Sequence, residues 1–238
     1  MILTAHQPVY LPWLGLFHKI YLADTFVHYN HVLHSSRDFT ARNSIRAPEG
    51  ELRLIVPLLK DQSTSRIALK DLRIDNQTSW RSKHLKAIKH YYSKSRFFDL
   101  YYSGLEEIYK KEWNFIDELN LNILQLLMRY LNLKPKIVIS SDLILSPGKN
   151  ESIVDMCNQL GAQKIIFGRH GAEYVEEKEF HKNQIDVYFQ DYSHPEYKQR
   201  YSGFHSHLSV IDLLFNHGND SLDILISGNA KKDSIFFY

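Results

Sequence analysis

The sequence predicts an α/β fold, in which helices flank a mostly parallel β-sheet and a helical segment occupies the middle of the chain. Three observations lead to this prediction. Residues 1–29 follow the order strand, helix, strand, which is typical of a parallel βαβ unit. Residues 80–133 have apolar side chains at helical spacing, and the strand–helix–strand order returns after residue 136.

The first βαβ unit has clear boundaries. Residues 1–5 form a short apolar segment that ends at a turn containing Pro8 and Pro12. Apolar side chains at helical spacing then predict a helix over 13–22. Residues 25–29 are β-branched and aromatic, which predicts the second strand.

The next block, residues 35–75, differs in character and is predicted to be an excursion of strands and loop that leans over the sheet. Its first part is polar and basic as far as Ala47. Residues 51–58 alternate in the manner of a strand that Pro57 stops, and residues 67–74 are predicted to be extended.

The rest of the chain returns to helices and strands. Within the helical segment 80–133, apolar side chains repeat at 3-4-3-4 spacing from Ile116 to Tyr130, which predicts a core-facing stripe. Glycines at 161 and 218 stand where helices commonly end. We expect one domain over 1–218 and a tail over 219–238. The predicted elements are strand 136–140, helix 152–160, strand 164–167, strand 185–189 and helix 208–216.

Composition excludes several classes of protein. The 238 residues include 29 Lys and Arg against 27 Asp and Glu, a net charge of +2, which argues against a partner that is a nucleic-acid duplex. The single cysteine, Cys157, excludes an intrachain disulfide and a multi-cysteine zinc site. Its helix is predicted to bury it as an inert, packed thiol.

Local sequence patterns exclude further functions. Gly-x-Gly does not occur, so the dinucleotide-binding fingerprint is absent, and no two glycines have the spacing Gly-x-x-x-x-Gly that the P-loop requires. The first residues lack a basic region and a long apolar stretch, and the most apolar later segment is too short and polar to span a bilayer. We therefore expect a soluble, cytoplasmic protein with no membrane span.

The turn after the first strand is the most unusual stretch. In an open parallel sheet, ligands bind beyond the carboxyl ends of the strands. His6 is therefore predicted to act there as a general base or anion contact, with Gln7 beside it. Tyr10 and Trp13 are predicted to offer a stacking face for the substrate. The alternative is a turn in which the two prolines and the aromatic side chains simply pack.

A second cluster is basic and belongs to the excursion. Arginine forks match the geometry of phosphate and carboxylate groups, and an asparagine can bind a sugar hydroxyl. The alternative is a solvated basic loop. The residues of this cluster are Arg37, Arg42, Asn43 and Arg46.

Two further groups follow predicted strands. Gly168 and Gly171 come after strand 164–167, where glycine lets a ligand approach the backbone, although a plain turn explains them as well. His194 follows strand 185–189 and is a second candidate proton acceptor. His28, His31 and His34 recur every three residues, a spacing that scatters side chains over both faces of a strand, so we predict no metal site.

Several stretches combine into a recognisable pattern that covers residues 1–218. They are residues 6–15 (HQPVYLPWLG), 17–20 with 23–24, 42–43, 56–57, Trp80 with 83–85, 160–162, 192–199 (YSHPEYKQ) and 208–218 (LSVIDLLFNHG). This pattern resembles the WbqC-like family, whose members are often encoded in bacterial O-antigen and surface-polysaccharide clusters. Lys19, Ser209 and Asp212 lie within these stretches, and we count them with Arg46 among the expected substrate-binding residues.

The sequence also departs from the family pattern. The family usually has an acidic residue where His18 stands, an acidic pair where Asn30 and His31 stand, and a Trp near Phe39. If the acidic pair is catalytic in other members, this chain differs from them in activity or substrate.

The resemblance implies a setting in glycan biosynthesis. The leading hypothesis is a transferase that moves an acyl or aminoacyl group from an acyl donor to an amino sugar on a sugar nucleotide. In it the arginines hold a phosphate, His6 or His194 takes the proton of the attacking amine, and backbone amides near Gly168 and Gly171 stabilise the oxyanion. Alternatives are a nucleotidyl-transfer or ATP-dependent activating enzyme, and a non-catalytic binding module. A homo-oligomer is compatible with the sequence, which assigns no cofactor.

The single-site hypothesis has a geometric consequence. Parallel strands deliver their carboxyl ends to one edge of a sheet. We therefore expect the residues that follow these strands to converge on one cleft, with the excursion folded across it. The expected members are His6, Arg42, Asn43, Gly168 and His194.

Overall fold

The computed structural model describes residues 1–35, 38–59 and 66–235. Five strands form one sheet in which every pair is parallel, and two others form an antiparallel hairpin. The predicted α/β class is therefore confirmed. The strands are β1 (Ile2–His6), β2 (Thr25–His28), β3 (Arg42–Ala47), β4 (Gly50–Ile55), β5 (Lys136–Ile139), β6 (Lys164–Gly168) and β7 (Asp186–Gln190).

The order of strands in the sheet is β5-β2-β1-β6-β7, which places β1 at the centre. The chain first builds outward from β1 through β2 to β5, and then returns to the other side of β1 with β6 and β7. Sheets of this kind bind ligands outside the carboxyl ends of the strands where the direction of winding reverses. Here that reversal lies between β1 and β6.

Helices cover both faces of the sheet. They are α1 (Leu14–Leu22), α2 (Trp80–Tyr92), α3 (Phe98–Lys110), α4 (Ile116–Tyr130), α5 (Lys149–Leu160), α6 (Glu177–Lys182), α7 (Val210–His217) and α8 (Ser221–Ile226). On β2, Phe26 packs into a core shared with α1 to α4, α7 and α8, whereas the next residue, Val27, packs into a second core with α5 and α6. This alternation follows from the two-residue period of a strand.

The central helical segment forms α2, α3 and α4, and the predicted stripe on α4 faces the larger core. Ile116, Leu119 and Ile123 are fully buried there. Gly161 ends α5 with a φ of 69°, a left-handed conformation that favours glycine, and Gly218 follows α7. Beyond Gly218, α8 adds buried Leu225 to the same core.

Two segments of the excursion differ from the prediction. Residues 42–47, expected to continue a polar and basic stretch, form strand β3, which pairs with β4 along its whole length. Ile45 faces the core, and the polar residues beside it find buried partners elsewhere in the chain. The segment 67–74, expected to be extended, contains a 3-10 turn at Leu69–Asp71. Among the described residues, no helix is long and apolar enough to cross a membrane.

Cys157 lies on α5 with its side chain inside the smaller core, fully buried as predicted. Burial raises the pKa of its thiol to about 12, because a thiolate would lose its hydration there. We expect a thiol reagent to label the native protein only as fast as it opens, and denatured protein at once. Absorbance of the released chromophore at pH 8 measures both rates. Rapid labelling of the native protein would contradict this placement.

Candidate functional site

His6 is the last residue of β1 and lies at the point where the winding of the sheet reverses. It pairs with His28 of β2, and its ring meets the ring of Trp13 edge-on at 5.5 Å between centroids. Its Nδ1 lies 2.8 Å from the carbonyl oxygen of Gln7. Because a carbonyl oxygen can only accept, Nδ1 carries the proton of the neutral ring, and Nε2 has the free lone pair.

The environment keeps the His6 ring neutral. Burial and, to a smaller extent, the positive charge of nearby Lys19 lower the pKa of His6 to about 3. A neutral imidazole with a free Nε2 is a hydrogen-bond acceptor at physiological pH. His6 can therefore receive a donor group of a ligand at the edge of the sheet.

Lys19 is the second titratable residue of this site. It lies on α1, is only 4% exposed, and its Nζ donates a hydrogen bond of 2.9 Å to the carbonyl oxygen of Ala5. Burial lowers the pKa of its amine to about 7. The amine therefore gains or loses its proton near neutral pH, and its charge acts on the His6 ring.

Residues that follow β2 form a buried polar network next to His6. The Nε2 atom of His28 lies 2.6 Å from Oδ1 of Asp117, at the start of α4, and the Asn30 amide donates to Oδ2 of the same carboxylate at 2.8 Å. Sequence reasoning missed this network of His28, Asn30 and Asp117. The strand-end position of His28 and Asn30 is a signal that could have identified them.

The network extends to the end of β5. The backbone N–H of Asn30 donates to Oγ of Ser140 at 2.9 Å, and Nδ1 of His31 lies 2.8 Å from the same oxygen. The ring of Tyr29 meets that of His31 edge-on at 4.6 Å. Polar side chains thus connect the ends of β2 and β5, and the backbone N–H of Tyr29 joins β1 to them by donating to the carbonyl oxygen of His6 at 2.9 Å.

His194 lies in an aromatic cluster that follows β7. Its ring centroid is 5.5 Å from that of His207, 5.7 Å from that of Phe204 and 6.2 Å from those of Tyr192 and Tyr197. Burial lowers its pKa, and its buried Nε2 has no hydrogen-bond partner. The His194 ring is therefore neutral, as the His6 ring is, but its aromatic neighbours differ from those of His6.

Aromatic rings connect the two histidine environments and cover the start of α1. A Cβ added to Gly15, in the first turn of α1, would lie 3.0 Å from atoms of both Trp13 and Tyr192. Trp13 contacts His6, and Tyr192 contacts His194. In dinucleotide-binding folds the equivalent helix N-terminus binds phosphate groups directly. Here the rings of Trp13 and Tyr192 pack around the N-terminus of α1 instead.

With this geometry established, comparison with known proteins gives the family. The model of the WbqC-like protein family matches residues 7–224. The chain belongs to the WbqC-like family. It is 32% identical over 222 residues to the uncharacterized protein Rv1507c of Mycobacterium tuberculosis (strain ATCC 25618 / H37Rv), covering 92% of this chain and 95% of that one. No solved structure matches the chain.

Part of the WbqC-like pattern holds the loop between β1 and α1. The Asn43 amide donates to the carbonyl oxygens of Leu11 at 2.6 Å and Tyr10 at 3.2 Å, and Leu11 has a φ of 44°. The Tyr10 side chain is fully buried, with its hydroxyl 2.8 Å from Nδ1 of His84. Trp13, which packs against Phe39 at 5.6 Å, is the half-exposed aromatic side chain of this loop.

Another part of the pattern forms a buried charge network away from the edge of the sheet. The Arg46 guanidinium donates to the carbonyl oxygens of Ala47, Gly50 and Ser202. Asp212 is fully buried, where it accepts hydrogen bonds from Tyr92 at 2.9 Å and Gln199 at 3.0 Å. Burial raises the pKa of Asp212. Ser209 caps α7 with its side chain, and its backbone N–H binds the hairpin.

The two glycines after β6 differ in their surroundings. A Cβ at Gly168 would meet nothing within 4 Å, so open space adjoins this end of β6, next to β1. A Cβ at Gly171 would lie 2.6 Å from Cβ of Phe167, so close packing against the sheet requires this glycine. Gly168 therefore borders the edge near His6, whereas Gly171 is buried.

The remaining basic residues contribute unequally. Arg42 begins β3 and is half-buried next to Asn43, where its charge acts on His34. Arg37 lies outside the described residues. Within the part of the chain that the structure describes, no group of three or more His, Cys, Asp or Glu residues is placed to hold a metal ion.

Proposed function

We propose that this WbqC-like protein is a transferase of bacterial surface-glycan synthesis that moves an acyl or aminoacyl group from an activated donor to an amino sugar linked to a nucleotide. The observation that supports this most directly is the neutral His6 ring with its free Nε2, at the reversal of the sheet and in front of Lys19. At this edge of the sheet, His6 accepts a proton and Lys19 attracts an anionic group.

The proposed step uses both groups. The amine nitrogen of the sugar attacks the carbonyl carbon of a thioester donor, while Nε2 of His6 accepts the amine proton. The tetrahedral intermediate then collapses, the carbon–sulfur bond breaks, and the leaving thiolate takes the proton from Nε2 of His6, which returns the ring to its neutral form. Burial is the main reason for the low pKa of His6. Below pH 7, where the Lys19 amine is protonated, a bound anion offsets the smaller contribution of that charge and makes His6 a stronger base.

The packing of aromatic rings around the start of α1 favours acyl transfer over nucleotidyl transfer. A nucleotidyl-transfer or ATP-activating enzyme needs donors that cradle a triphosphate, and the first helix after β1 usually supplies them. The rings of Trp13 and Tyr192 crowd that helix start. Open space at Gly168 supports a ligand that approaches from the β6 side instead.

A thermal-shift screen tests the proposed substrates side by side. Nucleotide amino sugars, acyl-CoA species and ATP are each added to the protein. A ligand at about 100 times its dissociation constant stabilises the native state by roughly 2.7 kcal/mol, which gives a clear rise in Tm. A rise with a sugar nucleotide and with an acyl-CoA supports the proposal. A rise with ATP alone would replace it with the activating-enzyme alternative.

Turnover is then measured as thiol release from acyl-CoA in the presence of the amino-sugar nucleotide. The buried Cys157 thiol does not compete for the thiol reagent in the folded protein. Release that depends on the sugar demonstrates transfer, and the mass of the product identifies the new amide. Binding of both ligands without release would favour the binding-module alternative.

Arg42 gives a prediction on substrate binding. Its position at the start of β3, beside the residue that holds the β1–α1 loop, suits a contact with a substrate phosphate. We expect Arg42→Ala to raise KM for the sugar nucleotide by about tenfold, the loss of one charge-assisted hydrogen bond, with kcat little changed. Arg81→Ala, which removes an exposed ion pair with Glu112, is the control. A selective loss of kcat would assign Arg42 to the chemical step.

A further inference from the structure

Lys19 is a buried cation whose hydrogen bonds are incomplete. Its ammonium group has three donors, of which one meets the carbonyl oxygen of Ala5 at 2.9 Å. In the described ranges 1–35, 38–59 and 66–235, Lys19 forms no ion pair with a carboxylate. A buried charge without a partner is costly, so it either loses its proton or recruits an anion.

The titratable groups around Lys19 do not supply that anion. His6 on β1 is neutral, and its neighbour His28 on β2 binds Asp117 of α4. Both oxygens of Asp117 are engaged, one by His28 and the other by Asn30. Asp117 is therefore committed to another network, and in the part of the chain that the structure describes no carboxylate pairs with the ammonium group of Lys19.

We propose that Lys19 captures the anionic group of the substrate and takes up a proton as that group binds, so that anion binding at the end of β1 is coupled to protonation. This inference deepens the proposed function, because it rests on an anionic substrate at the same edge. The chemistry recognised is a phosphate or carboxylate oxygen that reaches the free donors of the Lys19 ammonium.

The coupling has a defined direction with pH. Burial lowers the pKa of Lys19 to about 7, so at pH 8 the amine of the free protein is mostly neutral. A bound anion stabilises the ammonium form and raises that pKa, and binding therefore consumes a proton. Above pH 7 the affinity for the anion should fall by about tenfold per pH unit, as expected for uptake of one proton.

Carbon-13 NMR of protein labelled at the lysine Cε detects this event directly. The signal missing from the Lys19→Met variant assigns Lys19. Inorganic phosphate and acetate, added separately, distinguish a phosphate site from a carboxylate site. We expect the Lys19 signal of the free protein to titrate near pH 7 and to move to higher pH with one of the two anions. A signal that titrates near 10 in the free protein, or one that neither anion moves, would overturn the proposal.

Calorimetry in two buffers of different ionisation enthalpy at pH 8 counts the protons. We expect the anion that moves the NMR signal to bind with uptake of close to one proton, and this uptake to disappear in Lys19→Met. Lys110→Met, at an exposed lysine paired with Glu106, should retain it. Equal proton uptake in all three proteins would refute the role of Lys19. Coupled binding without acyl transfer would leave this inference standing and reject the proposed transferase, whereas transfer without coupled binding would do the reverse.

Discussion

Replacing His6 by alanine is expected to abolish thiol release from the acyl donor, with a loss of about 10²–10⁴-fold in kcat, the usual contribution of a positioned general base. The physical reason is that Nε2 of His6 is the proposed proton acceptor at the reversal of the sheet, near the Lys19 amine that we propose binds the anionic group of the substrate. Turnover at saturating substrate measures the effect. Because the ring is half-buried and, among the described residues, its hydrogen bond goes to the adjacent Gln7 carbonyl, Tm should change little.

Two further variants make the His6 result interpretable. His170→Ala removes an imidazole that is exposed on the surface and paired with Glu173, so its turnover should equal that of the unmodified protein. His194→Ala tests the second histidine environment. If His194→Ala loses turnover and His6→Ala keeps it, the proton acceptor lies in the aromatic cluster after β7, and the assignment of His6 is wrong.

Replacing Lys19 by methionine is expected to stabilise the fold at low pH. In the unfolded chain a lysine remains protonated up to about pH 10.5, whereas in the folded protein Lys19 does so only below about pH 7. Between these values the unfolded state binds more protons, so the stability of the unmodified protein rises with pH. Below pH 7 the full cost of the buried charge is present, on the order of 4 kcal/mol once the lost bond to Ala5 is subtracted.

Thermal unfolding at pH 6 and pH 10, followed as Tm, measures this difference. Methionine fills the space of the lysine stem without charge, so Lys19→Met should gain most at pH 6, about 10 °C in Tm for a chain of this size, and little at pH 10. Lys110→Met, at a position 67% exposed, should show no comparable gain. A Lys19→Met variant that is less stable than the unmodified protein at pH 6 would show that the amine is not a costly buried charge.

The parallel sheet could be predicted from the sequence because each of its strands is a local apolar run that ends at a turn. It was insufficient for β3, where Arg46 is buried by carbonyl oxygens that come partly from Ser202, 156 residues away. A local sequence pattern predicts that such polar residues are exposed to solvent, because their hydrogen-bond partners lie far along the chain. Those partners can be identified only in the folded structure.

The same limitation applies to the candidate site. His6 was predictable because it follows a strand and precedes a helix. Asp117 was not, because its partner His28 is 89 residues away and nothing at the start of α4 marks its first carboxylate as special. Asn43 was assigned to a sugar hydroxyl from its residue type, yet its amide holds the loop that precedes α1. The spacing of residues along the chain predicts the helices and strands. Long-range hydrogen bonds in the folded protein determine which polar side chains remain available to bind a ligand.

The central position of β1 has a consequence for how the protein acquires its site. β2 pairs with β1 soon after it along the chain, but on the other side Thr4 bonds to the Ile166 carbonyl, 162 residues away. Closing so long a loop is entropically costly, and contacts of this kind slow folding. The edge between β1 and β6 is therefore absent from any chain that has not yet synthesised and docked β6. A ligand that binds at this edge can stabilise only the completed sheet, and not folding intermediates that lack β6.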